Sequence, residues 1–296
     1  MRIFSAWACL VALLLSACAP AARPDASPAA RPALWKLADA DTTIYLFGTI
    51  HALPPGYKWR DATLDAAFAS ADALVVEAVL DRDPAKTSAL LVGLGRTAGL
   101  PPLAERVPAG KREALSTLMA RSKLPTAFLD GMETWSAALL LVGVTLGDLG
   151  IGAEEGVERR LEAEFGAAGK PIEGLETPEQ QLGYFDALPE PAQRDFLATL
   201  LDDPEQSRAD FQRMLASWSK GDEAGIAQSF DEEIELSPQL REVLLDRRNA
   251  AWTEWLARRL DKPGTVLVAV GAGHLAGPGS VVALLKAKGL TVERVQ

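Results

Sequence analysis

The chain has 296 residues and a mass of 31.5 kDa, with 48% hydrophobic and 24% charged residues. That is the composition of a globular protein with enough apolar material for a full core. Its formal charge is −10 and its pI about 4.9. Nucleic acid and anionic membrane surfaces are bound by clustered Lys and Arg, so this balance argues against both as direct partners.

The chain opens with MRIFSAWACLVALLLSAC: one basic residue, Arg2, an apolar stretch from Ile3 to Leu15, then small residues. The pattern predicts a secretory signal peptide over residues 1–17, too short for a bilayer span, which needs about 20 apolar residues. Leu15-Ser16-Ala17-Cys18 resembles a bacterial lipobox, in which cleavage leaves Cys18 to be lipid-modified; ordinary cleavage nearby is the alternative. Ala19, where an Asp would retain the protein elsewhere, resembles the pattern sent to the outer membrane. The expectation is a lipid-anchored protein of the cell envelope, on the outer membrane and facing the periplasm. Cys9 is then removed and Cys18 acylated, which leaves the folded part without a disulfide or a thiolate metal site. Residues 18–33 are rich in Ala and Pro and read as a semi-extended tether, with the fold beginning at Leu34.

ALWKL and TTIYLF, separated by ADAD, predict a hairpin by alternation and turn residues. Residues 61–70 have helical spacing, and ALVVEAVL (73–80) is a β-rich apolar run with a single acid, Glu77. Residues 84–260 are mostly helical in pattern. Within them ETWSAALLLVGVTLGDLG (133–150) reads as a buried core helix, and GKPIEGLET (169–177) as a short strand-like break. Ser237-Pro238 predicts an N-cap and first helical residue of a long helix to about Leu260. The last stretch gives a buried strand (GTVLVAV), a Gly-rich loop, a helix (SVVALLKAKG) and a final strand (LTVERV). The predicted fold class is α/β, a central mixed sheet built from N- and C-terminal segments with a large helical insertion in a single 34–296 domain.

The chain has two histidines, and both follow an apolar strand as G-x-x-H: Gly48-Thr49-Ile50-His51 and Gly271-Ala272-Gly273-His274. Glycine fills only 24 of 296 positions, so chance does not readily put one three residues before each. Gly48 and Gly271 allow a sharp turn and a close backbone approach at the carboxyl end of a strand, where ligands of open α/β sheets gather. Two imidazoles in one crevice can bind a divalent metal or share acid–base work. Glu77 belongs with them, because a charge inside a buried strand needs a partner. On the helix over 238–260, about 100° per residue puts Leu240, Leu244, Ala251 and Trp255 on one stripe with Arg248 among them. Arg247 lies near the stripe's edge, so the wheel alone does not choose between the two arginines. Neither H-E-x-x-H nor G-x-S-x-G is present.

The ordered set of the two G-x-x-H motifs, VVEAVL, GVE at 156–158, LET at 175–177 followed by Gln180 and Gln181, Arg248-Asn249 before Trp252, and VGAGHL resembles the TraB/GumN family. That family is related to Tiki-type membrane metallopeptidases and more distantly to erythromycin esterase-like and haem-binding ChaN-like proteins. The resemblance implies an α/β fold and a pocket formed by His51, Glu77, Glu158, Glu176, Arg248 and His274. It implies a hydrolase, with His51, Glu77 and His274 around a divalent metal, manganese or cobalt rather than zinc, acting on a peptide or small-molecule substrate. The alternatives are a metal-free esterase-like hydrolase with His51 as base, a non-catalytic haem or ligand carrier, and an accessory of polysaccharide assembly. Taken alone, Glu158 and Glu176 would read as surface acids.

Overall fold

The computed structural model describes residues 30–81, 83–234 and 238–296. The predicted signal peptide, Cys18, the tether up to residue 29 and the predicted cap Ser237 lie outside the described residues. Packed chain already includes Ala30 and Ala33, both buried, and the Arg31 N–H donates to the Ser219 carbonyl (2.7 Å).

Six strands form one mixed sheet. They are β1 (Leu34–Ala38), β2 (Thr42–Thr49), β3 (Ala73–Ala78), β4 (Ile172–Glu176), β5 (Gly264–Gly271) and β6 (Val292–Arg294), in spatial order β4-β3-β5-β2-β1-β6. The predicted hairpin is the antiparallel β1–β2 pair, and β6 pairs antiparallel with β1. The four strands β4, β3, β5 and β2 run parallel, so their carboxyl ends emerge at one edge. The expected α/β class holds, with one refinement: β4 comes from within the mostly helical stretch and extends the sheet beyond β3.

The sheet is covered on both faces, as a parallel sheet must be. Along β5 the side chains alternate. Leu267 and Ala269 join the core beneath the large helical part, with Phe47, Leu74 and Val76, while Val266, Val268 and Val270 face the opposite core. The first core includes Trp59, Phe68, Trp135 and Trp218, and its most apolar member is the helix Thr134–Asp148, in which ten residues are buried. That helix follows the expectation from its composition. Among the described residues no helix is long and apolar enough to cross a membrane.

Of three further helices, the second and third position the site. We label α1 the helix Ala62–Ser70, capped by the Asp61 carboxylate on the N–H groups of Thr63 and Leu64. Helix α2 (Val157–Ala167) starts where the Val157 N–H donates to the Ile50 carbonyl. Helix α3 (Pro178–Asp186) follows β4 through a capping box between Thr177 and Gln180, with Pro178 at its first position.

The predicted long helix is interrupted. Pro238–Arg241 is α-helical, Glu242–Asp246 forms a π-helical turn, and α4 (Arg247–Arg259) continues from it. A π-turn inserts one extra residue and delays the phase of everything downstream. The predicted stripe therefore shifts by one position beyond it: Trp252 and Leu256 are buried, whereas Ala251 is exposed and Trp255 half-buried. Helix α4 packs with α5 (Val281–Ala287) on the smaller face of the sheet.

Candidate active site

All six predicted site residues meet at the carboxyl edge of the parallel strands. In the β2–β5 register Gly48 pairs with Val270 and Thr49 with Gly271, so His51 and His274 leave the sheet side by side. β3 delivers Glu77, β4 delivers Glu176, α2 delivers Glu158 and α4 delivers Arg248.

Arg248 is the centre. Its side chain is 1% exposed. Nη2 donates to Glu77 Oε2 (2.6 Å) and to Glu176 Oε2 (3.0 Å), while Nε donates to Glu176 Oε1 (2.9 Å). Nη1 donates to the Leu244 carbonyl (3.2 Å) and lies 3.2 Å from His274 Nε2. The guanidinium also lies over the Trp252 ring, 4.6 Å from its centroid, while the Trp252 N–H donates to Glu176 Oε1 (2.9 Å). One cation thus serves two buried carboxylates, an arrangement the planar fork of Arg suits and Lys does not. Arg247 is exposed and paired with Glu242 (2.9 Å), so the structure makes the choice the helical wheel left open.

Glu77 closes the β3–β5 ladder. Where backbone pairing ends at Val76 and Ala269, its Oε1 accepts the Gly271 N–H (2.8 Å). Its Oε2 accepts from Gln181 Nε2 (3.0 Å) as well as from Arg248. Burial would raise the pKa of this carboxyl, but Arg248 and the two histidines hold it well below the usual range. For Glu176, burial outweighs Arg248 and pushes the pKa up. Gly271 gives the carboxylate room: a Cβ there would sit 3.2 Å from Glu77 Oε1, which would have to give by a few tenths of an ångström, and 3.5 Å from His51 Nε2.

The two histidines differ. His274 is fully buried; its Nδ1 donates to Asn249 Oδ1 (2.6 Å), which leaves Nε2 to accept from Arg248. Burial first, then the Arg248 charge, lowers its pKa to about 3, so it is a neutral acceptor at all ordinary pH. His51 keeps a 16% exposed side chain. Its Nδ1 bonds Glu158 Oε1 (2.6 Å), which also accepts the Thr49 hydroxyl, and its Nε2 faces the site 3.8 Å from Glu77 Oε1. Burial alone would lower its pKa, but the Glu158 charge and hydrogen bond, with Glu77 behind, raise it above the ordinary histidine value. Gly156 lets α2 come this close, since a Cβ there would lie 2.1 Å from the His51 carbonyl oxygen.

Beside His51 opens a small cleft with about 50 Å³ of accessible space. Its walls are His51, Glu77, Glu158 and Gln181, the apolar Val76, Ala78 and Leu80 from β3 and just beyond it, and Arg159 and Glu162 from α2. Sequence reasoning left Gln181 undecided against Gln180, and the structure separates them: Gln180 closes the capping box and Gln181 holds Glu77. It missed Thr49, Arg159 and Glu162, and it met Asn249 only as part of a pattern. The spacing of Glu158, Arg159 and Glu162 on one turn of an amphipathic helix was the available sign.

The metal expectation meets a specific obstacle. His51 Nε2 and His274 Nε2 each lie 3.8 Å from Glu77 Oε1, but the cation among them is already Arg248. It occupies Glu77 Oε2 and the free lone pair of His274, and Gly271 occupies Glu77 Oε1. Among the described residues no group of three or more His, Cys, Asp or Glu is disposed to hold a metal ion. As arranged, the donor set does not fit a divalent ion.

The sequence model of the TraB/PrgY/gumN family matches residues 33–294. The chain is also 26% identical over 250 residues to the uncharacterized protein YbaP of Escherichia coli (strain K12), and equally to YbaP of Shigella flexneri; the match covers 82% of this chain and 87% of each relative. No solved structure matches. With both G-x-x-H motifs, the acids and Arg248 all inside the matched span, the chain belongs to the TraB/PrgY/gumN family.

Proposed function

We propose that this protein is an exported hydrolase of acyl bonds, ester or amide, in which His51 is the general base. One observation carries the reading: a carboxylate fixes His51 Nδ1 at 2.6 Å while Nε2 is left facing a cleft. A general base needs a set tautomer, a stabilised cationic form and a free nitrogen aimed at the reacting proton. Nε2 takes a proton from a water, whose oxygen adds to the acyl carbon. Glu158 stabilises the resulting imidazolium, with the Glu77 carboxylate on its other side. As the tetrahedral adduct collapses, the acyl–oxygen or acyl–nitrogen bond breaks and His51 returns its proton to the departing alcohol or amine. The Gln181 amide carries two N–H donors and spends one on Glu77, so the other serves the oxyanion. Arg248 is too buried to touch substrate and acts by fixing Glu77 and Glu176.

The leader and Cys18 support an envelope location, with the catalytic domain tethered to the outer membrane through lipid. A panel of activated esters and peptides, with and without chelator, tests the chemistry. Turnover that survives chelation and disappears in His51→Ala supports the reading. Turnover that chelation abolishes and manganese or cobalt restores replaces it with the metal-assisted version, in which Arg248 must vacate its place. An inert wild-type protein across the panel rejects hydrolysis altogether.

A further inference from the structure

Arg159 stands out among the polar groups around the cleft because so little of it is used. Glu158 is committed to His51 and Thr49, and Glu77 to Arg248, Gln181 and Gly271. The next residue on α2, Arg160, is held by Glu155 and by the Tyr57 carbonyl. Arg159 has a single polar contact among the described residues, a 3.5 Å approach of Nη1 to Glu162 Oε2, beyond a good hydrogen bond. Its side chain is 34% exposed, lies in the cleft wall and presents nearly all of its donor fork to whatever enters. β3 and the residues just beyond it supply a different surface, formed by Val76, Ala78 and Leu80, and His51 lines the same cleft.

We propose that Arg159 is the anion anchor of this cleft, and that the substrate is an acyl compound with a carboxylate at one end and an apolar side group beside the bond that is cut. The assignment rests on the hydrolase reading for the word substrate, but the recognition itself is an equilibrium property. A planar fork with five donors matches a carboxylate in a two-bond geometry. The apolar group packs on Ala78 and Leu80, where its burial adds to affinity. Glu162 is the resident competitor for Arg159. A long, half-exposed ion pair contributes little, so an entering carboxylate displaces it readily.

The test is calorimetric titration of the purified full chain with N-acetyl-leucine and, separately, with its uncharged amide, for wild type, Arg159→Gln and Glu162→Gln. The acid is expected to bind the wild type about tenfold more tightly than the amide. Arg159→Gln brings the two within about twofold and leaves amide binding and the unfolding midpoint unchanged. Glu162→Gln tightens acid binding about two- to threefold, since the competitor is gone. Equal binding of acid and amide by the wild type, a preference that survives Arg159→Gln, or no binding of either probe overturns the anchor. A carboxylate preference that depends on Arg159 in a protein with no turnover would reject the hydrolase reading and leave the anchor standing.

Discussion

The two histidines are written alike, and the protein uses them in opposite ways. Each leaves a parallel strand through G-x-x-H, and strand register sets them side by side. His51 is held by a carboxylate and opens on a cleft; His274 is held by an amide and abuts a guanidinium in a dry interior. An acid at Nδ1 makes an imidazole a better proton acceptor, whereas an amide at Nδ1 and a cation at Nε2 keep it neutral. Position comes from the motif. Chemistry comes from the neighbour, which in each case lies on a different helix.

The sharpest way to break this contrast is at Arg248, on which the His274 side depends. Arg248→Met should cost roughly 3–5 kcal/mol in denaturant unfolding, because Glu77 and Glu176 would lose their shared cation while staying buried. A loss under about 1 kcal/mol would mean that the guanidinium is not the internal counter-ion.

Exchange of the histidines comes next. His51→Gln should lower turnover by about 10²- to 10⁴-fold with little change in stability, and His274→Gln should lower stability more than the His51 variant does. The pH responses should also have opposite signs. The His51 pKa is raised, so its contribution to stability is full below about pH 6.5 and fades as pH rises through the raised value. The wild-type rate should climb over that same alkaline interval, because the base must be unprotonated. The pKa of His274 is depressed to about 3, so its contribution is full above about pH 6.5 and is lost as pH falls toward 3. Unfolding midpoints against pH for the two Gln variants check this, and parallel slopes would refute it.

A smaller effect should come from the surface both histidines share. Gly271→Ala puts a methyl against Glu77 Oε1 and His51 Nε2 and should cost about 1–3 kcal/mol, with a fall in turnover as Glu77 moves. The smallest effect should be at Arg247, where Ala should change stability by no more than about 0.5 kcal/mol and leave turnover unchanged, marking Arg248 alone as the functional partner.

Much of this was legible in the sequence, for reasons that differ by element. The hairpin, the strand around Glu77, the buried helix over 134–148 and the closing strand–helix–strand each carry their pattern locally. The meeting of His51 with His274 was legible because both follow strands that end in the same motif. What stayed hidden depends on contacts across more than 70 residues. Glu176 looks like a surface acid until α4 lays Arg248 and Trp252 on it. Arg159 looks like one charge in a solvated run until β3 supplies another part of the wall of the same cleft. Sequence patterns also gave no warning that Arg248 would occupy the centre expected for a metal, since a motif names donors without showing what already lies between them.

The π-turn at Glu242–Asp246 makes the chain's length critical at one place. Loops on the far side of the helical layer can gain or lose residues without disturbing the sheet edge. Between Pro238 and Arg248 a change in length must be matched by a change in turn. If the wide turn tightened to a regular helix with every residue kept, the following segment would rotate by about 100° and turn Arg248 out of the core, whereas tightening with the loss of one residue would leave it in place. Homologous chains that keep this site should therefore either keep the wide turn or run a regular helix one residue shorter, however much the rest of the helical layer grows or shrinks.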